Sequence, residues 1–104
     1  MPPRMAAVNN PTCLHLVAGE GREALEDCLS LCVAGDALLF LDAGVLHLLQ
    51  ALPAFPDGAE AHFLAADLQA RGLLEAARRR YLKVLDDAAF CDLLAAHGHC
   101  LTWT

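Results

Sequence analysis

Two short apolar runs flanking one amphipathic helical stretch constrain this chain most. Cys13-Leu14-His15-Leu16-Val17-Ala18 reads as a buried strand. A turn holding Gly19 and Gly21 follows, and Leu25, Cys28, Leu29 and Cys32 then fall at the i, i+3, i+4, i+7 spacing of one helical face. Gly35-Asp36 ends that helix, placed at about 22–34, and Ala37-Leu38-Leu39-Phe40-Leu41-Asp42 is a second, almost continuous apolar strand. Strand, helix, strand is the opening of a parallel sheet. In such sheets ligands gather where the strands end and the helices begin.

The alternation continues. Gly44 opens a second helical stretch, Val45 to Leu52, which Pro53 stops, and Pro56-Asp57-Gly58 marks a turn. Glu60 to Ala65 reads as the third strand. Asp67 fits as the cap of a short helix Leu68-Gln69-Ala70-Arg71 closed by Gly72. Tyr81 to Leu85 reads as the fourth strand. Asp86 or Asp87 starts a last helix, Ala88 to Ala96, and Cys100 to Trp103 forms a fifth strand, at an edge or in a subunit interface. Five strands and about four helices, alternating, specify a single small α/β domain over residues 13–104. Its sheet is mostly parallel, with helices on both faces. Residues 1–12 read as a flexible N-terminal extension.

At 104 residues and 57 % hydrophobic, the chain can fill one mainly aliphatic core. No apolar run approaches the roughly 20 residues of a membrane helix, nor does the N-terminus carry a secretory signal's apolar segment, so a cytoplasmic protein with no membrane contact is expected. A net charge of −6 argues against direct nucleic-acid binding. Ten carboxylates lie in residues 20–75, whereas Arg78, Arg79, Arg80 and Lys83 cluster beyond them. That basic run reads as a solvated turn or, more sharply, as a contact for an acidic partner.

The five cysteines contain no Cys-x-x-Cys pair, and Cys28 and Cys32 are poorly spaced for a disulfide on a helix. Reduced, mostly buried thiols are expected. Read by residue type, Cys28 is a core cysteine two turns into its helix, where Glu26 and Asp27 disfavour a thiolate. Cys13, Cys32 and Cys91 also read as structural. His97, His99 and Cys100 crowd together without a fourth ligand, so no metal is expected, and no organic cofactor. His15 and His47 read as isolated core or surface histidines. No catalytic triad assembles. Gly19-x-Gly21-x-x-Ala24, with Asp42 about 20 residues on, formally fits a nucleotide-binding turn. Glu20 and Glu23 would crowd a phosphate there. A third reading is a purely structural interaction subunit, with the apolar stretch Val45 to Leu52 as its first candidate interface.

Several ordered segments give the chain a family resemblance. They are Leu14-His15, Leu25-Glu26-Asp27-Cys28-Leu29, the run Gly35 to Val45, Phe63 to Leu73 with its Asp67-Leu68-Gln69-Ala70-Arg71-Gly72 core, Val84 to Phe90, and Trp103. Together, over residues 13–104, they resemble the DsrH/TusB family of sulfur-relay subunits. The resemblance implies a DsrE/F/H-like fold, flavodoxin-like in the broad sense. It also implies assembly with DsrE/TusD-like and DsrF/TusC-like subunits into a heterohexamer that passes persulfide sulfur onward. In the TusBCD version the sulfur goes to 2-thiolation of the tRNA wobble uridine; the DsrEFH version acts in sulfur oxidation. DsrH-type members carry a cysteine on the first helix, which Cys28 matches. The resemblance therefore makes Cys28 the candidate persulfide carrier, acting by thiol exchange.

Overall fold

In the computed structural model, which describes residues 12–104, strands and short helices alternate along the chain. The elements are β1 (Cys13–Val17), α1 (Arg22–Leu31), β2 (Ala37–Phe40), a 3-10 helix (Asp42–Leu49), β3 (Glu60–Leu64), α2 (Ala65–Ala70), α3 (Leu74–Arg79), β4 (Lys83–Leu85), α4 (Asp87–Ala96) and β5 (His99–Trp103). The expected extension, residues 1–12, falls outside the described residues except for Thr12. Thr12 is tied to the far end of the chain: its carbonyl accepts from His99 N–H, and its hydroxyl pairs with His97 Nδ1 at 2.6 Å.

All five strands are parallel, in the order β4-β3-β2-β1-β5. The chain steps from β1 to β4 in one direction, then returns to lay β5 against the free side of β1. Right-handed crossovers put connections that run in opposite directions on opposite faces of a sheet. Accordingly α1, the 3-10 helix, α2 and α3 pack on one face, where Leu25, Cys28, Val45, Leu48, Leu68 and Ala77 meet Val17, Leu38, Phe40 and Phe63. The rings of Phe40 and Phe63 stack there with centroids 4.6 Å apart. The other face meets α4 alone, through Phe90 and Leu93 on Leu14, Leu39 and Leu64.

Several local details differ from the sequence reading, among them β4, which begins at Lys83 because Tyr81, at φ 56°, lies in the turn before it. Helix α1 stops at Leu31, before Cys32, because Cys32 takes an extended conformation and Gly35, at φ 92°, turns the chain into β2. The Val45–Leu52 stretch is a 3-10 helix over Asp42–Leu49. Gly44 lies so close to the Val17 carbonyl that any side chain would collide, and the tight coil holds it there. Gly44, Val45, His47 and Leu48 of that segment are buried in its own domain and Leu49 is exposed, so its apolar side is largely covered by its own domain rather than left open as an interface helix would be. Helix α2 starts directly at Ala65 without a side-chain cap, and Asp67 lies inside its first turn. Helix α3 was not legible. With six residues it is too short to show a period, and its end had read as a turn. Asp86 caps α4 as expected, accepting from Ala89 N–H at 2.8 Å.

Candidate functional site: a buried thiol cluster beside a tryptophan–histidine–aspartate chain

Three cysteines converge under α1. Cys28 comes from the inward side of the helix, Cys32 from its C-terminal cap, and Cys13 from the start of β1. Beside them Asp36, the residue before β2, is 5 % exposed, and its carboxylate is held by three donors. One oxygen accepts from Cys13 N–H at 2.9 Å; the other accepts from Val33 N–H at 3.1 Å and pairs with His15 Nε2 at 3.1 Å. Parallel register sets this up. Leu14 lies opposite Ala37, so the residue before each faces the other across the strand starts.

His15 completes a chain through the core. Trp103 Nε1–H donates to His15 Nδ1 at 3.1 Å, so Nδ1 carries no proton and Nε2–H is the donor to Asp36. Every polar atom of the ring is used. His15 is thus neither isolated nor a free base. It links β5 to β1 and to the turn before β2. The signal that could have found it was the register, with Asp36 just before one strand, His15 two residues into its neighbour and Trp103 at the end of the last.

The electrostatics work against a reactive thiol. Cys28 is fully buried, and its thiol is pushed up to about 12, first by burial, then by Cys32, Cys13 and Asp36. Burial, then Asp36 and Cys13, also raises Cys32. Cys13 is raised by burial, Asp36 and Cys100. Burial pulls the Asp36 carboxyl upward, but the donors from Cys13, Val33 and His15 outweigh it and hold the group below its ordinary value. A fixed carboxylate among three thiols disfavours ionising any of them. Cys91 and Cys100, by contrast, are exposed, so Cys91 is not the buried structural cysteine expected.

Ligand atoms of His15, Cys32 and Asp36 lie within 4.8 Å of one another, the one such triple among the described residues. The donor set does not fit a metal. A metal on Nε2 would place the Nδ1 proton against the Trp103 N–H, and both Asp36 oxygens already accept from protein donors. His97, His99 and Cys100 form no such group; His97 is engaged with Thr12.

The other end of the sheet is closed as well. The switch in strand order lies between β1 and β5, where ligands enter open α/β sheets. There the Ala18 and Gly19 amides both donate to the Trp103 carbonyl, at 2.9 and 3.3 Å. A Cβ on Gly19 would meet the Thr104 carbonyl at 2.5 Å. Two of the amides of the turn are thereby occupied. The adjoining cleft, about 320 Å³, is lined by Gly21, Glu23, Ala24, Asp27 and Thr104, so its charge is acidic. Gly19, Gly21 and Ala24 form a strand–helix turn packed against Thr104 at Gly19, and the two carboxylates of the cleft oppose a phosphate there. His47 also serves this turn, donating from Nε2 to the Gly19 carbonyl at 2.9 Å. The Asp67–Gly72 motif acts nearby: Asp67 accepts from Asp42 N–H at 2.6 Å and Arg71 reaches Asp42 at 3.4 Å, which holds Asp42 at φ 52°.

The family model of DsrH-like proteins matches residues 20–99, a span that contains α1 with Cys28, the Asp36 turn and the Asp67–Gly72 motif. The chain belongs to the DsrH-like family. No curated protein matches it. DsrH-like membership makes this chain a subunit of a sulfur-relay complex in the general sense. Among the described residues of this DsrH-like chain, no helix is long and apolar enough to cross a membrane.

Proposed function

We infer that this DsrH-like chain supports persulfide transfer as a structural subunit, holding in place a carrier cysteine that belongs to another subunit of the complex. The observation that carries the reading is the state of Cys28: no exposed surface, and a thiol pushed up to about 12. A relay cysteine must reach a donor sulfur as a thiolate and be reached by the next thiol. The partners expected from the resemblance are DsrE/TusD-like and DsrF/TusC-like subunits in a heterohexamer, in the cytoplasm, with tRNA wobble-uridine 2-thiolation as the end of the relay.

A second reading keeps Cys28 as the carrier. It is supported by the position of Cys28 on α1, which matches DsrH-type members, and by Cys32, four residues on, as receiver of the sulfur. It requires the C-terminal turn of α1 to lift in the assembled complex. Treating the native complex with inorganic polysulfide and weighing each intact subunit separates the two. The structural reading predicts persulfide on another subunit, and on this chain only at Cys91 and Cys100. A one-sulfur adduct on this chain that disappears in Cys28→Ser and survives Cys91→Ser with Cys100→Ser assigns the carrier role to Cys28. Isolating the tagged chain from its native cells tests the assembly itself. Two small α/β partners in equal amounts are expected, and a lone monomer defeats the proposal.

A further inference from the structure

The end of α3 carries a surface that neither the fold nor the thiol cluster explains. Five of the seven cations of this acidic chain, Arg71, Arg78, Arg79, Arg80 and Lys83, lie between residues 71 and 83. Arg71 and Lys83 are paired with Asp42 and Glu60. Arg80 reaches across to donate to the Leu48 carbonyl at the end of the 3-10 helix, which brings exposed Leu49 beside this knuckle. Arg78 has only a 3.5 Å contact with Glu75, both side chains being about two-thirds exposed, a pairing worth little in water. Arg79 has no hydrogen-bond or ion-pair partner among the described residues.

Next to them stands Tyr81, 94 % exposed at φ 56°. Its N–H bonds to the Arg78 carbonyl and the Leu82 N–H to that of Ala77, so Tyr81 occupies the left-handed position that ends a helix and that glycine ordinarily fills. A large aromatic held there buries nothing in this chain and strains the backbone. Strain of this kind tends to be kept where a side chain has to be presented. Tyrosine and arginine are the residues enriched at binding hot spots.

We propose that Arg78, Arg79, Tyr81 and Leu49 form a docking surface for an acidic segment of a protein partner. The guanidinium of Arg79 pairs with carboxylates, and Tyr81 and Leu49 cover an apolar side chain beside them. Charge decides the occupant. A chain of net −6 with one unpaired guanidinium at this site lacks the several phosphate contacts a nucleic acid requires, whereas one or two carboxylates match what is on offer.

The test uses the full chain and a fluorescent peptide of alternating glutamate and leucine, followed by anisotropy at low and at physiological salt (about 0.15 M). Saturable binding that weakens with salt is expected. It should fall about tenfold in Tyr81→Gly and in Arg79→Glu, and vanish for a glutamine–leucine peptide. Tyr81→Gly removes the backbone strain, so its melting temperature should not drop, and a loss of binding in it is not a loss of fold. Equal binding by wild type and both variants overturns the proposal. So does a uridine oligonucleotide that displaces the peptide and is itself lost in the same variants. Self-association abolished by Tyr81→Gly, without peptide binding, overturns it in favour of a second copy of this chain.

Discussion

The two faces of this sheet are built to different standards, and two histidines show it. His15 and His62 sit on neighbouring registers of the same sheet, each less than a tenth exposed, with side chains on opposite faces. His15, on the side of α1, has both ring nitrogens engaged, by Trp103 and Asp36. His62, on the side of α4, has neither nitrogen hydrogen-bonded; Glu60 is its nearest carboxylate, at 3.6 Å. The cover differs in the same way. Four helices seal the first face, while α4 spans the second without burying one of its own residues. The first face is a finished core and the second a loosely closed one. Chemistry hidden in the first is therefore inaccessible, and change is tolerated in the second.

Thiol reactivity is the sharpest way to break that comparison. At pH 8 a displacement from 9.0 to about 12 leaves Cys28 with about a thousandfold less thiolate than a free cysteine. Iodoacetamide followed by mass mapping should therefore label Cys91 and Cys100 while Cys28 and Cys32 stay unmodified until the protein unfolds. Early modification of Cys28 would show that α1 opens readily. Next in size, Asp36→Ala leaves buried donors from Cys13, Val33 and His15 without a partner and should cost about 3–5 kcal/mol in urea unfolding. A loss below about 1 kcal/mol would mean that water replaces the carboxylate.

Truncations come third. Leu25→Ala, on α1 and 1 % exposed, should cost about 2–4 kcal/mol. Leu93→Ala on α4, half-buried, should cost about 1 kcal/mol; equal losses would erase the distinction between the faces. The smallest effect is a pH slope. Burial lowers the His62 value against the pull of Glu60, with Lys83 and His97 adding to the lowering. The unfolded histidine then takes up its proton near 6.5 while the folded one does not. Stability is accordingly level above that pH and falls as the pH drops through the window beneath it. His62→Leu should remove this part of the slope in melting experiments at pH 5 to 8. An unchanged slope would place the titration on another group.

The sequence carried the architecture because the apolar runs are continuous in β2 and nearly so in β1, and because Gly35 and Asp86 mark ends that local chemistry dictates. It did not carry α3, whose six residues hold fewer than two turns, nor the 3-10 geometry, which follows from the contact between Gly44 and Val17. Cys28 was visible as a buried position. Its companions Cys13 and His15, Asp36, and Trp103 come from three separate segments and meet only through strand register, which no local pattern announces. The asymmetry of the faces is equally hidden, since Ala88 to Ala96 reads simply as one more helix.

The strand order also sets a timetable. β5 is the last of the five described strands to be made, yet it pairs with the first of them, along all five residues from Cys13 to Val17. The 81 residues that separate Val17 from His99 take roughly 4–16 s to translate at about 5–20 residues per second. Through that interval β1 has one open edge, and His15 lacks the indole that fixes its tautomer. A nascent chain of this protein is thus a four-stranded sheet with an unpaired, uncharged edge, the geometry that invites pairing with a neighbouring chain. Folding on the ribosome cannot finish before Trp103 emerges, and whatever shields that edge until then protects the yield of the subunit.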